Sequence, residues 1–229
     1  MKPFKLNLIS ATLICGLIIS CGPSIREVSR LPEGKSVEVN RIAVVPFFYE
    51  LDYPEEAAQA AQVTPEKGMT PEVPSEIGRL IAQDLYEEMV SKIKKANTLY
   101  FETSAEEFNK VVNKSPGIMY KDAALEVARN MDTDAVLIGN VFEYREREGG
   151  ELGVSSPASV AFGAQLLDTR TGQIIWEAYY AETQRPLLWN VFELDKFVKR
   201  GGKWVTANQL AREGVVKIAD RLNRFLEQN

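Results

Sequence analysis

The stretch 159–180 decides the fold, and it reads SVAFGAQLLDTRTGQIIWEAYY. Two apolar runs, rich in aromatic and β-branched residues, flank the segment Asp168-Thr169-Arg170-Thr171-Gly172. Runs of this composition favour strands, and Gly172 can take the positive φ that a tight reversal requires. We therefore predict two antiparallel strands that are joined by a short turn.

A third strand is predicted just before this pair, over 134–145 (DAVLIGNVFEYR). This run is apolar at first and alternates between apolar and polar residues towards its end, as a strand does when its last part is half exposed. Gly149, Gly150 and Gly153 mark a turn between the third strand and the pair. The three runs together predict an antiparallel meander.

The chain after the meander ends in a predicted amphipathic helix. Apolar residues recur there at helical spacing, at Ala207, Leu210, Ala211, Val215, Ile218, Leu222, Phe225 and Leu226. A helix with one apolar face has to bury that face against another element. We expect it to cover the sheet.

The residues before the meander predict strands that alternate with helices. The run 41–49 (RIAVVPFFY) favours a buried strand ending at Pro46, and Ser75 is positioned to cap a helix. A short strand over 98–101, a helix opened by a capping box at 104–107 and a helix over 122–131 follow. The predicted class is α/β (α+β): an N-terminal β-α-β unit, an antiparallel meander and a closing helix on one mixed sheet.

This order of elements resembles the domain shared by the N-terminal part of TolB, the curli-secretion lipoprotein CsgG and the cell-wall lipoprotein LpoB. The resemblance rests on residues 41–47, 132–139 and 166–176. It implies a largely non-enzymatic domain that binds partners in the periplasm. The chain lacks an evident pair of long alternating hairpins of the curli channel type, so we rank a subunit of an outer-membrane channel lowest among the functions.

The first twenty residues read as a secretory signal. Lys2 and Lys5 precede an apolar run of about fifteen residues, too short for a confident membrane span. The run ends Ile18-Ile19-Ser20-Cys21, which resembles a bacterial lipobox; Cys15 follows Ile14, which suits cleavage less well. The alternative is an ordinary apolar helix with an incidental cysteine. We predict removal of 1–20 and lipidation of Cys21.

These features predict the organisation of the mature chain. Residues 21–40 are expected to be a lipidated tether, and 41–229 a single periplasmic domain with insertions near 50–74 and 185–204. Gly22, rather than aspartate, follows the acylated cysteine, which in Gram-negative sorting resembles an outer-membrane address. The expected location is the periplasmic side of the outer membrane.

Composition bears on the class of function. The chain has no histidine, so it can hold neither a Ser-His-Asp nor a Cys-His arrangement. Loss of 1–20 removes two lysines and no acid, which takes the net charge from −5 to −7 and leaves no basic footprint for nucleic acid. We predict no enzyme activity, cofactor or metal, and a partner that is an envelope protein or a second copy of the chain.

A carboxylate-dependent hydrolase acting on cell-wall polymer is the alternative. Glu143 and Glu146 are its candidate acids, because they lie close together at the start of the first hairpin with Glu148 and Glu151. Alternating charges at a strand end are more typical of a solvated edge that blocks aggregation.

Two segments do not fit the minimal fold and are candidates for partner contact. The segment 50–74 is rich in proline, and 185–204 carries Trp189, Phe192, Phe197 and Trp204. Aromatic residues dominate the contact energy of interfaces, so these four side chains are the predicted partner surface. The alternative is that they close one end of the core.

Overall fold

The computed structural model describes residues 25–31, 36–49, 75–150, 154–183 and 204–229. These residues form nine strands: β1 (Ile25–Ser29), β2 (Arg41–Val44), β3 (Phe48–Tyr49), β4 (Asn97–Thr98), β5 (Ala135–Arg145), β6 (Glu148–Gly149), β7 (Val154–Ser156), β8 (Ser159–Asp168) and β9 (Ile174–Thr183). They also form four helices: α1 (Ser75–Lys92), α2 (Phe101–Lys114), α3 (Tyr120–Asn130) and α4 (Ala207–Gln228).

Seven of these strands form one mixed sheet, in the order β1-β9-β8-β5-β2-β4, with β3 also paired to β5. β5, β8 and β9 are successive antiparallel neighbours, whereas β2 is parallel to both β4 and β5. The predicted β-α-β unit, meander and closing helix are therefore confirmed. The turn after β8 has Gly172 at φ +68°, as predicted.

The sheet is covered on both faces, because side chains of a strand point alternately to opposite sides. Ala135 and Leu137 of β5 face the layer of α1 and α4, while Val136 and Ile138 face the layer of α2 and α3. α4 lies close against the sheet at Gly214, where a Cβ atom would lie 2.3 Å from the Tyr180 ring.

β2 and β3 follow one line but are interrupted at Pro46, which has no backbone N–H to pair. Tyr120, the first residue of α3, fills the gap. Its hydroxyl lies 2.8 Å from the carbonyl oxygen of Pro46 and accepts a hydrogen bond from the N–H of Gly139 in β5 at 3.2 Å. Gly139 is required here, since a Cβ atom would lie 2.3 Å from the ring of Phe47.

The structure places a strand inside the segment that the sequence predicts to be a tether. β1 pairs antiparallel with β9 over five residues, from Ile25↔Tyr180 to Ser29↔Trp176. Glu27 faces the α1–α4 layer, accepts a hydrogen bond from the Trp176 indole N–H at 2.8 Å and pairs with Arg221 of α4 at 3.2 Å. Glu27 occupies an inward-facing position at which a strand normally has an apolar residue. The alternation of apolar and polar residues that predicts a strand is therefore absent from this segment.

Two further boundaries differ from the prediction. α2 begins at Phe101 with Tyr100 as its N-cap, so Ser104 is a buried residue of the helix and not a cap. β4 is correspondingly reduced to Asn97–Thr98. Burial of Phe101 against α1 fixes this start, and such a tertiary contact overrides a local capping signal.

Candidate functional site

The predicted lipidation and partner residues lie mostly outside the described part of the chain. This holds for Cys21, Trp189, Phe192 and Phe197. Trp204 is described, and its side chain is half-buried just before the capping box that Thr206 and Gln209 form at the start of α4. The partner surface therefore stays a prediction.

Several described elements begin or end at one end of the sheet. The last residue of β5 pairs with the first of β8, which pairs with the last of β9 (Arg145↔Ser159 and Ser159↔Thr183), and β1 begins opposite Tyr180. α4 also begins here, because the Ala207 N–H bonds to Glu146, which closely follows β5. We call this the insertion end, and define it by Ile25, Arg145, Ser159, Thr183 and Ala207.

Both segments that do not fit the minimal fold connect elements at the insertion end. Residues 50–74 join Tyr49 of β3 to the start of α1, and Gly78 of that helix packs against Phe47. Residues 184–203 join Thr183 of β9 to the approach of α4.

The candidate acids of the hydrolase alternative have structural partners in the described residues. Both carboxylate oxygens of Glu146 lie 3.2–3.3 Å from the N–H of Ala207, so this side chain caps α4 beside Thr206. Glu143 pairs with Arg145 at 3.6 Å, and Glu148 is exposed in β6. Glu151 lies outside the described residues. This arrangement is a helix cap and a solvated strand end.

An exposed apolar patch lies near the insertion end, on the side of β3. The Phe48 side chain is 56% exposed and stacks on Tyr120 with the ring centroids 5.5 Å apart, and neighbouring Met119 is 72% exposed. The residue pattern does not reveal this patch, because Phe48 belongs to an apolar run that favours a buried strand. Pro46 is the sequence signal for this patch, since a break in the strand at proline changes which of the following side chains face the core.

A buried carboxylate that the residue pattern does not reveal lies on the face of the sheet opposite to α1 and α4. Glu177 of β9 is 1% exposed and accepts hydrogen bonds from Arg30 at 2.7 Å and from Gln165 and Tyr179 at 3.1 Å. A fully hydrogen-bonded charge pair of this kind is costly to break. Its role here is to hold the chain after β1 against β9.

The opposite end of the sheet carries a polar cavity of about 620 Å³. It lies beside the turn between β8 and β9, and its lining includes Arg129, Arg170, Asp134 and Thr169. Asp134 is already occupied, since one carboxylate oxygen accepts hydrogen bonds from the backbone N–H groups of residues 40 and 41 at 2.9 Å. Among the described residues of the predicted sites, Trp204 and Glu146 lie at the other end of the sheet from this cavity.

No helix in the described part of the chain has the length and hydrophobicity that crossing a bilayer requires. In the same part of the chain, no group of three or more acidic, cysteine or histidine side chains is arranged to hold a metal ion.

The chain matches no model of a known protein family and no curated protein. It is similar to solved structures. The PelC dodecamer from Paraburkholderia phytofirmans is 18% identical at a TM-score of 0.45, over 88% of this chain and 96% of that chain. Lipoprotein GNA1162 from Neisseria meningitidis is 19% identical at 0.36, over 75% and 96%.

The C-terminal domain of LpoB from Escherichia coli is a further neighbour, 16% identical at a TM-score of 0.32, over 66% of this chain and 87% of that chain. LpoB is one of the three proteins that the sequence resembles. At these TM-scores the matches assign the chain to no particular family.

Proposed function

We propose that this protein is a lipid-anchored, non-catalytic interaction module of the bacterial cell envelope, serving a secretion, transport or cell-wall complex. The observation that carries the proposal is the sequence before Cys21: two lysines, an apolar run and Ile18-Ile19-Ser20-Cys21. Acylation at Cys21 supplies several chains, and each buried methylene contributes about 0.8 kcal/mol to anchoring. Gly22 favours the outer membrane, with the domain facing the periplasm.

The placement of the candidate acids supports a binding role over hydrolysis. A general acid and a nucleophile or base have to converge on one substrate bond. Glu146 instead caps α4, and Glu143 pairs with Arg145. Substitution of Glu146 by Gln should therefore leave the protein's cellular function intact, whereas a hydrolase would lose it.

The anchor is tested by fractionation of cells that produce the chain, with metabolic labelling by a fatty acid. The wild type should carry the label and partition with outer membranes, and Cys21→Ala should lose both properties. Cys15→Ala is the matched control, because it removes the other cysteine of the apolar run and should change nothing. An unlabelled wild type, or a Cys21→Ala protein that still partitions with membranes, contradicts the proposal.

The partner surface is tested by crosslinking in intact cells. We propose that Trp189, Phe192, Phe197 and Trp204 contact an envelope protein or a second copy of the chain. A photoreactive residue at 189 or 192 should give a defined adduct, and the same residue at Gln173, exposed at the opposite end of the sheet, should not. Equal yields at both positions, or no adduct at 189 and 192, would remove this surface from consideration.

A further inference from the structure

The start of β1 fixes how far the domain can stand from a membrane. β1 begins at Ile25, so only Gly22, Pro23 and Ser24 separate the sheet from Cys21. Four steps along an extended chain reach at most about 14 Å. A tether of twenty residues, as the sequence predicts, would have allowed several times that distance.

β1 is held firmly enough for this limit to apply. Ile25 is 7% exposed in the main core, and five consecutive residues pair with β9. Glu27 adds bonds to Trp176 and Arg221, and Arg30 adds the pair with Glu177. Detachment of β1 and the residue after it would leave the buried indole N–H of Trp176 and the buried carboxylate of Glu177 without these partners, which opposes detachment.

The insertion end projects beyond the start of β1, in the direction opposite to that in which β1 runs. Ile25 lies opposite Tyr180, and β9 continues for three more residues to Thr183, which is about 10 Å of strand. Arg145 and Ser159 lie at the level of Thr183. A reach of about 14 Å and a projection of about 10 Å leave little space between these strand ends and the layer in which Cys21 is anchored.

We infer that the insertion end docks on the phospholipid surface that anchors Cys21, so that the strands stand end-on to the membrane and the polar cavity with Arg129 and Arg170 faces away from it. This inference rests on the proposed lipidation. The insertion end would contact the phospholipid headgroups of the leaflet that holds the acyl chains of Cys21. The competing arrangement lays the β1 edge on the membrane with the strands parallel to it.

The two arrangements predict opposite orders of distance from the membrane for two exposed residues, Arg145 and Gln173. Arg145 lies at the insertion end but three strands away from β1, whereas Gln173 directly precedes the first residue of β9, the strand that adjoins β1. End-on docking places Arg145 nearer the membrane than Gln173 by about 30 Å, nine to ten residues of strand. Edge-on docking places Gln173 nearer by about two strand spacings, or about 10 Å.

The experiment uses the acylated protein with Arg145→Cys or Gln173→Cys. The mature chain has no other free thiol when Cys21 is acylated, so each variant takes one donor dye at a known site. The proteins are reconstituted into phosphatidylethanolamine and phosphatidylglycerol vesicles that carry a headgroup acceptor dye. We expect efficient energy transfer from position 145 and weak transfer from position 173.

Transfer that is equal at the two positions, or stronger from 173, overturns the inference while leaving the anchor intact. Failure of both variants to float with the vesicles overturns the lipidation itself and the inference with it. Insertion of twelve Gly and Ser residues between Ser24 and Ile25 is the matched variant. A tether of that length spans about 20 Å on average. The difference in energy transfer between positions 145 and 173 should therefore shrink. An unchanged difference would show that the short tether does not set the orientation.

Discussion

A single hydroxyl group joins three elements at the interruption between β2 and β3. Tyr120 bonds the carbonyl oxygen of Pro46 and the N–H of Gly139, and burial raises the pKa of its phenol above the ordinary value of 10.0. The hydroxyl therefore stays protonated and able to donate. It replaces the ladder bonds that Pro46 cannot make.

Tyr120→Phe should lower the free energy of unfolding by about 1–3 kcal/mol, because it leaves the buried N–H of Gly139 without its acceptor. Urea denaturation followed by circular dichroism measures the change. Tyr100→Phe is the control, since that side chain is 62% exposed, and its midpoint should match the wild type. Equal midpoints for both variants would show that Tyr120 only fills space.

Glu146 is the second residue whose role depends on a distant part of the chain. Its carboxylate meets the first N–H of α4, where the helix dipole favours a negative charge. Glu146→Ala should cost about 0.5–1 kcal/mol of stability, and Glu146→Gln less, because the amide oxygen still accepts a hydrogen bond. Thermal denaturation of both variants against Glu148→Ala, a neighbouring exposed glutamate, tests this order.

At the scale of elements, β1 is the feature with the largest consequence for architecture. A chain that starts at residue 36 lacks β1, the Glu27 contacts and the Arg30–Glu177 pair. We expect it to be less stable than a chain that starts at Gly22 by at least about 2 kcal/mol, the contribution of burying one side chain such as Ile25. Identical denaturation curves for the two chains would mean that β1 is a tether after all.

The packing of α1 against α4 makes stability depend on pH through Asp84. Burial raises the pKa of this carboxyl above its ordinary value of 3.8; Arg212 at 3.8 Å opposes the shift, and Glu87 and Glu88 add to it. A native pKa above the unfolded one means that the folded state binds more protons between the two values. Stability should therefore fall as pH rises through that window.

Asp84→Asn removes this proton uptake while preserving the size of the side chain. We expect its unfolding free energy to vary less with pH just above pH 3.8 than that of the wild type, and to be at least equal to the wild-type value at neutral pH. Denaturant midpoints measured across the acidic range check both statements. A variant that is less stable at neutral pH would show that the Arg212 pair outweighs the burial of the charge.

For the molecule as a whole, the sequence predicts elements whose signal is local and misses those that depend on distant partners. The meander follows from apolar runs around Gly172, and α4 follows from its helical periodicity. β1 could not be found in this way, because its inward residue Glu27 is matched by Trp176, which is 149 positions away. The same reason hid the cap by Glu146, 61 positions before Ala207.

The features of the candidate site also differ in whether a local sequence signal reveals them. The lipidation motif is local, so the sequence alone supports Cys21 as the anchor. Pro46 signals where the β2–β3 line breaks, but the exposure of Phe48 and Met119 also depends on how α3 packs beside that break, which is a contact between distant parts of the chain. The orientation of the insertion end depends on where β1 starts, and therefore on a strand that only the structure reveals.

The two helical layers share the strands β2 and β5, and this predicts that they unfold together. Ala43 faces the layer of α2 and α3, and Ala164 faces the layer of α1 and α4; both are fully buried. Neighbouring residues of β5, such as Val136 and Leu137, belong to opposite layers, so neither core survives separation of the sheet. We expect one cooperative transition although the chain is longer than most two-state domains.

Single cysteines at these two positions test the prediction separately for each layer. In a mature chain with Cys21→Ser, Ala43→Cys and Ala164→Cys each introduce the only thiol. The extent of thiol labelling is measured for each variant across a urea series. For both variants, the labelling curve should have the same midpoint and the same slope as that variant's own unfolding curve by circular dichroism. Labelling of Ala43→Cys at a lower urea concentration would show that α2 and α3 open as a separate unit, and that the shared strands do not couple the layers.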